Sequence, residues 1–319
     1  MQSKLIKAKE RLLTFLQMLK CLVTNIVDGT SLPQSYHNEQ TLVVLNNANL
    51  KPQKIPKIIW MYWEEEIIPF CVQKMIDNIK RLHTSHEIHI LNKDNTRSFL
   101  PELLFKGEMP IANKTDIIRL ELLYRFGGIW IDCTTILRDN LNWIHEKSES
   151  QAFDIIGYYR EKSTSDSEYP IIESWLLGAA PHNYLIKQWL YTLSPLKDLG
   201  NKAYFERIKK RPDYELIKQK ISSPSYLLVY LAGQIALRKY KNFNLYLKKC
   251  EDSAFYVQEY YGWVNYKINY ALCRLEDFIK HVPIVKLTSG DRLLIEMFRK
   301  FKLIKKNSTI GVIAQQEIK

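Results

Sequence analysis

The chain has 319 residues, of which 46% are hydrophobic and 25% charged, with few Gly (11) and Pro (12). That excludes a disordered or low-complexity protein and leaves room for one large domain or two small ones around a substantial core. The net charge of +12 suits anionic partners, whether nucleotide phosphates, nucleic acid or a membrane face, and it equally suits a lysine-rich composition with no such partner. Five cysteines, Cys21, Cys71, Cys133, Cys250 and Cys273, are widely spaced and form no C-x-x-C. They argue against a disulfide framework or zinc knuckle and for a reducing compartment, the cytoplasm. No apolar run reaches the roughly 18 residues of a membrane span, and the N-terminus makes a poor secretion signal.

Residues 4–27 are expected to form an amphipathic helix. Leu5, Leu12, Phe15, Leu16, Leu19, Leu22, Val23 and Ile26 recur at helical spacing, and Lys4, Lys7, Lys9, Arg11 and Lys20 are basic. Two readings stay open: a helix lying on an anionic membrane surface, at the inner face of the plasma membrane, or a helix docked on the domain's own core. Residues 28–53 read as polar and irregular, with Pro33 and Pro52, and make a linker. The expected organisation is therefore a helical extension and linker (1–53), a main domain (54–292) and a basic tail (293–319).

In the main domain IPKIIWMYW (55–63) reads as a first buried strand, 69–83 as a helix and HEIHILN (86–92) as a second strand. His83, His86 and His89 straddle a turn and an alternating strand and are read as surface residues. NKTDIIRLELLYRF (113–126) is the clearest helix, with Asn113 or Thr115 as its cap and Gly127 as its stop. IWI (129–131) then makes a central strand ending at Asp132. FDIIGYY (153–159) reads as a strand, and WLLGAAP (175–181) as an apolar stretch turning into a helix. Residues 201–220 read as a lysine-rich helical face, 223–237 as a buried helix, 282–292 as a late strand and loop, and RKFKLIKK (299–306) as a second basic amphipathic patch. The alternation predicts an α/β sandwich on a mostly parallel sheet, with ligands at the carboxyl ends of its strands.

Asp116 and Arg119, three residues apart, project from one helical face, and the following strand delivers Asp132 to the same rim. Arg can fork onto phosphate, and Asp can accept hydrogen bonds from sugar or ribose hydroxyls. A buried Asp–Arg pair fixing the helix to the sheet would show the same spacing.

The run KTDIIRLELLYRFGGIWIDCT (114–134) resembles the D-x-x-R-x-x-x-L-x-x-x-G-G-x-Y-x-D-x-D pattern of DXD-type sugar transferases, which include glycosyltransferase family 32 and the glucosylating clostridial toxins. More closely it resembles the capsular polysaccharide synthesis protein family, which carries I-P-K-I-I-W-x-x-W near its start, as at 55–63, and an acid-small-Thr triplet, as at Asp132-Cys133-Thr134. The resemblance covers roughly residues 54–290. It implies a GT-A-like, Rossmann-type mixed sheet flanked by helices, with the N-terminal helix as an extension. It also implies a glycosyltransferase that moves a sugar, with retention, from a nucleoside diphosphate donor, UDP first, to a growing surface polysaccharide or lipid-linked glycan.

On that resemblance Asp116 and Arg119 bind the nucleotide sugar, and Asp132 holds the sugar, or the pyrophosphate through a metal, or both. Gly128 and its neighbour Gly127 bring backbone near the donor, and Trp60, or Trp63 instead, stacks on the base. Glu173, in an acid-x-Trp segment, faces the transferred sugar. Mn²⁺ or Mg²⁺ would bind at Asp132 and Thr134, weakly, because hard cations prefer carboxylates to a neutral hydroxyl. Lys286 and Arg292 are the cations that would neutralise pyrophosphate without metal, and Asp291 or His281 are alternative late metal ligands. A non-catalytic basic adaptor for anionic membrane or glycan is the rival reading. Nucleic acid is not an expected partner, because the basic residues are not striped with aromatics.

Overall fold

The computed structural model describes residues 2–32, 36 and 38–315, and for residues 2–8 the backbone alone. Pro33, expected in the linker, lies outside the described residues, as do the side chains of Lys4, Leu5 and Lys7. Nine strands are described: β1 (Thr41–Leu45), β2 (Ile58–Tyr62), β3 (Glu87–Leu91), β4 (Gly128–Ile131), β5 (Thr135–Leu137), β6 (Ile155–Tyr159), β7 (Ile172–Ala179), β8 (Asn244–Lys249) and β9 (Ile284–Lys286). The helices are α1 (Gln2–Val27), α2 (Phe70–Leu82), α3 (Ile111–Phe126), α4 (Asn142–Ser150), α5 (Tyr184–Leu193), α6 (Leu196–Lys209), α7 (Tyr214–Lys218), α8 (Leu228–Tyr240), α9 (Tyr256–Tyr260), α10 (Asn265–Arg274), α11 (Ile295–Lys300) and α12 (Thr309–Gln315).

Seven strands form one sheet in the order β1-β8-β6-β7-β4-β2-β3, and β5 and β9 form a separate antiparallel pair. The sheet is mixed. β2 runs parallel to β3 and β4, and β6 parallel to β8, while β7 is antiparallel to both neighbours and β1 to β8. The expected α/β architecture of a mixed sheet flanked by helices is therefore present, though the sheet is not mostly parallel. Two reversed strands are the reason: β7, wedged between β6 and β4, and β1 at the edge beside β8.

The period of two along each strand divides the core. Ile59, Met61, Ile129, Ile131 and Ile156 face one layer with α2 and α10, and Trp60, Tyr62, Trp130, Ile155 and Leu177 face the other with α3, α5 and α8. Asp132 follows Trp130 in this alternation and so emerges on the α3 side.

Four local expectations are corrected. WLLGA (175–179) belongs to strand β7, and the helix that follows starts only at Tyr184. All eight residues of β7 are buried, and a strand covered on both faces shows no alternation to read. The stretch read as irregular linker contains β1, an edge strand paired to β8 along its whole length. Five residues of TLVVL have no periodic signature strong enough to stand without their partner. Helix α3 begins at Ile111 behind Pro110, whose φ of −58° is already helical. Asn113 and Thr115 therefore lie inside the helix. Asn113 donates to Tyr226 O (3.0 Å) and accepts from Asn201 Nδ2 (2.7 Å), which are tertiary bonds rather than a cap. His83 and His86 are buried rather than surface residues. Their rings bond the Ile79 carbonyl and His145.

Candidate active site

Helix α3 and strand β4 meet at an ionic cluster. Arg119 is almost wholly buried, its side chain 5% exposed. One guanidinium nitrogen contacts Asp116 Oδ1, and the other donates to Asp132 Oδ1 at 3.0 Å. The guanidinium also lies 4.8 Å from the centre of the Trp130 ring. Trp130 is two residues before Asp132, on the same strand face, and its indole N–H donates to the same Asp132 oxygen at 3.0 Å. The helical i,i+3 spacing and the strand i,i+2 spacing thus converge on one carboxylate.

The opposite side of that carboxylate belongs to the β5–β9 pair. Thr135 is in register with Lys286, which places the Lys286 ammonium beside the 132–134 turn. It lies 3.1 Å from Asp132 Oδ2, donates to Thr134 Oγ1 at 2.6 Å, and reaches the Leu287 carbonyl at 3.2 Å. Three contacts use all three ammonium donors.

This arrangement tests whether a divalent cation fits. The two expected ligands, Asp132 and Thr134, both already face an ammonium, and the second Asp132 oxygen accepts from Arg119 and Trp130. No group of three or more His, Cys, Asp or Glu that could hold a metal occurs among the described residues. The donor set does not fit Mn²⁺ or Mg²⁺. Asp291 keeps one carboxylate oxygen, Oδ1, without a hydrogen-bond partner among the described residues. It is buried, and its Oδ2 accepts from Gln258, the Thr288 amide and the Thr288 hydroxyl. His281 is exposed in the turn before β9.

The two acids titrate in opposite directions. Burial pushes Asp116 up, against the nearby Arg119, and the charge of Asp132 adds to the rise. Asp132 is also penalised by burial, but Lys286 and Arg119 outweigh that penalty and hold it below the usual carboxylate range. Its side chain keeps 26% exposure, so an ionised carboxylate faces the open side of the cluster. A carboxylate that gathers two cations stays charged, while its neighbour, sharing one of them, does not gain as much.

The remaining candidates separate into those at this rim and those away from it. Glu173 sits on β7, two residues before Trp175, whose carbonyl accepts the Asp132 amide at 2.9 Å. It is 2% exposed, accepts from the Tyr230 hydroxyl, and is pushed up to about 7 by burial. Trp63 follows the carboxyl end of β2, half-buried, with an indole N–H that has no partner. Arg292 lies over that ring, 5.8 Å from its centre, and makes no hydrogen bond or ion pair among the described residues. Burial pushes its guanidinium down, opposed by Cys71, Asp291 and Asp132.

Two expected donor contacts are overturned. Trp60 is 1% exposed, donates to the Gly127 carbonyl at 2.9 Å, and stacks on His89. Neither ring face is left for a base, because β2 is flanked by β3 and β4 and Trp60 points into the α3 layer. Gly128 opens β4, four residues before Asp132, so about 13 Å of strand separates it from the rim. It is glycine for packing: its φ is +100°, and a Cβ would stand 2.6 Å from the Ile58 carbonyl oxygen on β2.

Sequence reasoning passed over four residues that build the site. Trp130 was legible, since W-x-D on one strand puts both side chains on one face. Asn113, one helical turn before Asp116, was read as a cap. Tyr230 and Tyr226 reach Glu173 and Asn113 across long sequence separations and carry no local signal. A separate cleft of about 830 Å³ lies between α5, α6 and α8, bordered by Tyr191, Arg207, Arg211 and Arg238, and contains none of these residues.

An α/β sheet with Arg119, Lys286 and Arg292 gathered where a strand ends has the chemistry for holding an anion. The chain belongs to the capsular polysaccharide synthesis protein family, which matches residues 31–270. Among curated relatives it is 23% identical to the O-glycosyltransferase PaGT of Phomopsis amygdali over 196 residues, 55% of this chain and 47% of that one. It is likewise 23% identical to the O-glycosyltransferase braB of Annulohypoxylon truncatum over 167 residues, 46% of this chain and 39% of the other. The chain thus spans about half the length, or less, of these relatives. The solved PaToxG glycosyltransferase superposes with a TM-score of 0.31 at 17% identity, over 59% of this chain and 80% of that one, too loosely to carry an argument.

Proposed function

We propose that the protein is a glycosyltransferase that moves a sugar from a nucleoside diphosphate, UDP first, to a hydroxyl of a glycan or lipid-linked glycan at the inner face of a membrane. The observation that supports this best is the ionised Asp132 held between Arg119 and Lys286 at a strand end, with Arg292, unpaired among the described residues, over Trp63. Family membership and the names of the relatives support the same class of reaction.

In this reading the acceptor oxygen forms a bond to the anomeric carbon as the bond from that carbon to phosphate breaks. The electron pair leaves with the nucleoside diphosphate, and the acceptor proton passes to phosphate or water. Charge grows on the leaving pyrophosphate, and fixed cations lower the barrier by meeting it. Arg292 is the cation with donors to spare. Lys286 stands where a metal would stand, compensating Asp132 and Thr134, so transfer proceeds without a divalent ion. Trp63, not Trp60, offers a face and an N–H to the donor. Asp132 accepts from the sugar, and Glu173 from a hydroxyl of the sugar or acceptor. Retention of configuration is what the family resemblance implies, and the anomeric signal of the product tests it.

Calorimetric titration with UDP, with and without Mn²⁺, tests the reading. UDP binds in both cases, with little gain from Mn²⁺, and Arg292→Ala weakens binding about tenfold, as expected for losing one charge-assisted contact. Absence of UDP binding by the folded protein overturns it.

A further inference from the structure

Helix α1 carries two apolar stripes, and the fold uses one. At about 100° per residue, Met18, Cys21 and Asn25 fall on one side, and Leu12, Leu16, Leu19, Val23 and Ile26 on nearly the opposite side. The first side is buried: Met18 and Cys21 join the core, the Cys21 thiol donates to the Tyr266 carbonyl at 3.1 Å, and Asn25 Nδ2 donates to the same oxygen at 3.3 Å. The second side stands in solvent, with Leu12 at 58% exposure, Val23 at 62% and Ile26 at 68%. Lys9 and Lys20 fall on this outward side and are exposed.

The tertiary structure adds a second segment. The Phe15 ring packs 5.1 Å from the Phe301 ring, which brings the end of α11 beside α1. Phe301 is itself exposed, flanked by exposed Arg299, Lys300 and Lys302. Two basic amphipathic stretches nearly three hundred residues apart therefore form one surface, an apolar stripe edged by cations. Only Glu296, paired with Arg299 at 2.9 Å, offsets that charge on α11.

We infer that this surface docks the protein on an anionic lipid bilayer, with α1 lying in the interface and its outward leucines among the acyl chains. An apolar stripe edged with lysine is the pattern that binds such surfaces, through buried apolar area together with attraction to anionic headgroups. A second copy of the chain is the poorer occupant, because a self-complementary contact would bring the same cations face to face. No described helix is long and apolar enough to cross a membrane, so the contact is interfacial. This inference rests on the surface alone and does not depend on the transferase reading.

Flotation of the full chain with phosphatidylglycerol-containing vesicles and with pure phosphatidylcholine vesicles tests it. The protein floats with the anionic vesicles and is released by salt. Leu16→Glu combined with Val23→Glu removes binding, and both positions are exposed, so melting is unchanged. Lys9→Glu combined with Lys20→Glu lowers binding at least tenfold, at roughly fivefold for each lysine lost. Nucleotide-sugar hydrolysis in solution is unaffected by either pair. Equal binding to both vesicle types, no binding at low salt, or full binding by the Leu16/Val23 variant overturns the inference. So does concentration-dependent dimerisation that the same variant abolishes. Loss of UDP binding by the wild type would sink the transferase reading and leave this one standing.

Discussion

Asp132 is held by four groups from four different places in the chain: Arg119 from a helix, Trp130 from its own strand, Lys286 from the late hairpin, and the Trp175 carbonyl at its amide. Replacing it by Asn leaves two cations facing a neutral amide. Transfer is expected to fall at least about a hundredfold, the size of losing one preorganised electrostatic contact. Asp116→Ala is expected to lose activity comparably by freeing Arg119. In both, the circular dichroism spectrum should match wild type, and full activity would end the assignment. Lys286→Met distinguishes an ammonium that stands in for a metal from one that is only structural. Hydrolysis falls in the metal-free enzyme, and added Mn²⁺ restores part of it, because Asp132 and Thr134 are then free to take the ion. Glu173 gives a pH signature. Burial raises its pKa from 4.5 to about 7, so its accepting, ionised form is lost as pH falls through 7. Activity should decline on that limb, and Glu173→Gln should flatten it. The sign for stability is the reverse. A raised carboxyl favours the fold below its unfolded pKa of 4.5, and that contribution disappears as pH rises through 7.

Secondary elements matter here mostly by where they end. Strand β4 can lie between β2 and β7 only because its first residue has no Cβ, since Gly128 at φ +100° backs directly onto Ile58. Gly128→Ala is expected to cost at least about 2 kcal/mol, from strain at a positive φ plus a backbone clash. Urea unfolding should show a lower midpoint with an unchanged slope, and an unshifted midpoint would refute the close-packing account. The β5–β9 pair is the element that completes the site, because its register carries Lys286 to Thr134. Three-residue strands have no periodicity of their own, which is why the sequence could nominate Lys286 as a cation but not place it. Helix α3 was legible in nearly all respects except its start, where a proline overrode the two residues best suited to capping.

Across the whole molecule, three histidines join elements that surround the core. His83, after α2, bonds the Ile79 carbonyl at 2.8 Å and accepts the Leu141 amide at 2.8 Å, while His86 and His145 meet nitrogen to nitrogen at 2.9 Å. Burial pushes all three below 6.5, His86 to about 4. Because the unfolded chain binds protons more readily, stability is intact above 6.5 and falls as pH drops toward 4. His86 alone accounts for up to about 3 kcal/mol. Thermal melts across that window should show the loss, and His86→Phe or His145→Phe should reduce its slope. An unchanged slope would mean that the rings titrate freely. All five cysteines are buried and unpaired, so reducing agent should leave the melt unmoved.

Sequence by itself determined the α/β class, the helix carrying Asp116 and Arg119, the strand ending at Asp132, and the family, because each depends on local periodicity or on a contiguous motif. Tertiary structure decided the direction of β7, the place of β1 in the sheet, the burial of Trp60 and the distance of Gly128 from the rim. It also decided which cation meets Asp132, and that α1 and the 299–302 segment share one face. These depend on strand register and on contacts between residues far apart in the chain. A period of two or of 3.6 tells which face a side chain occupies, but it carries no information about what that face will meet.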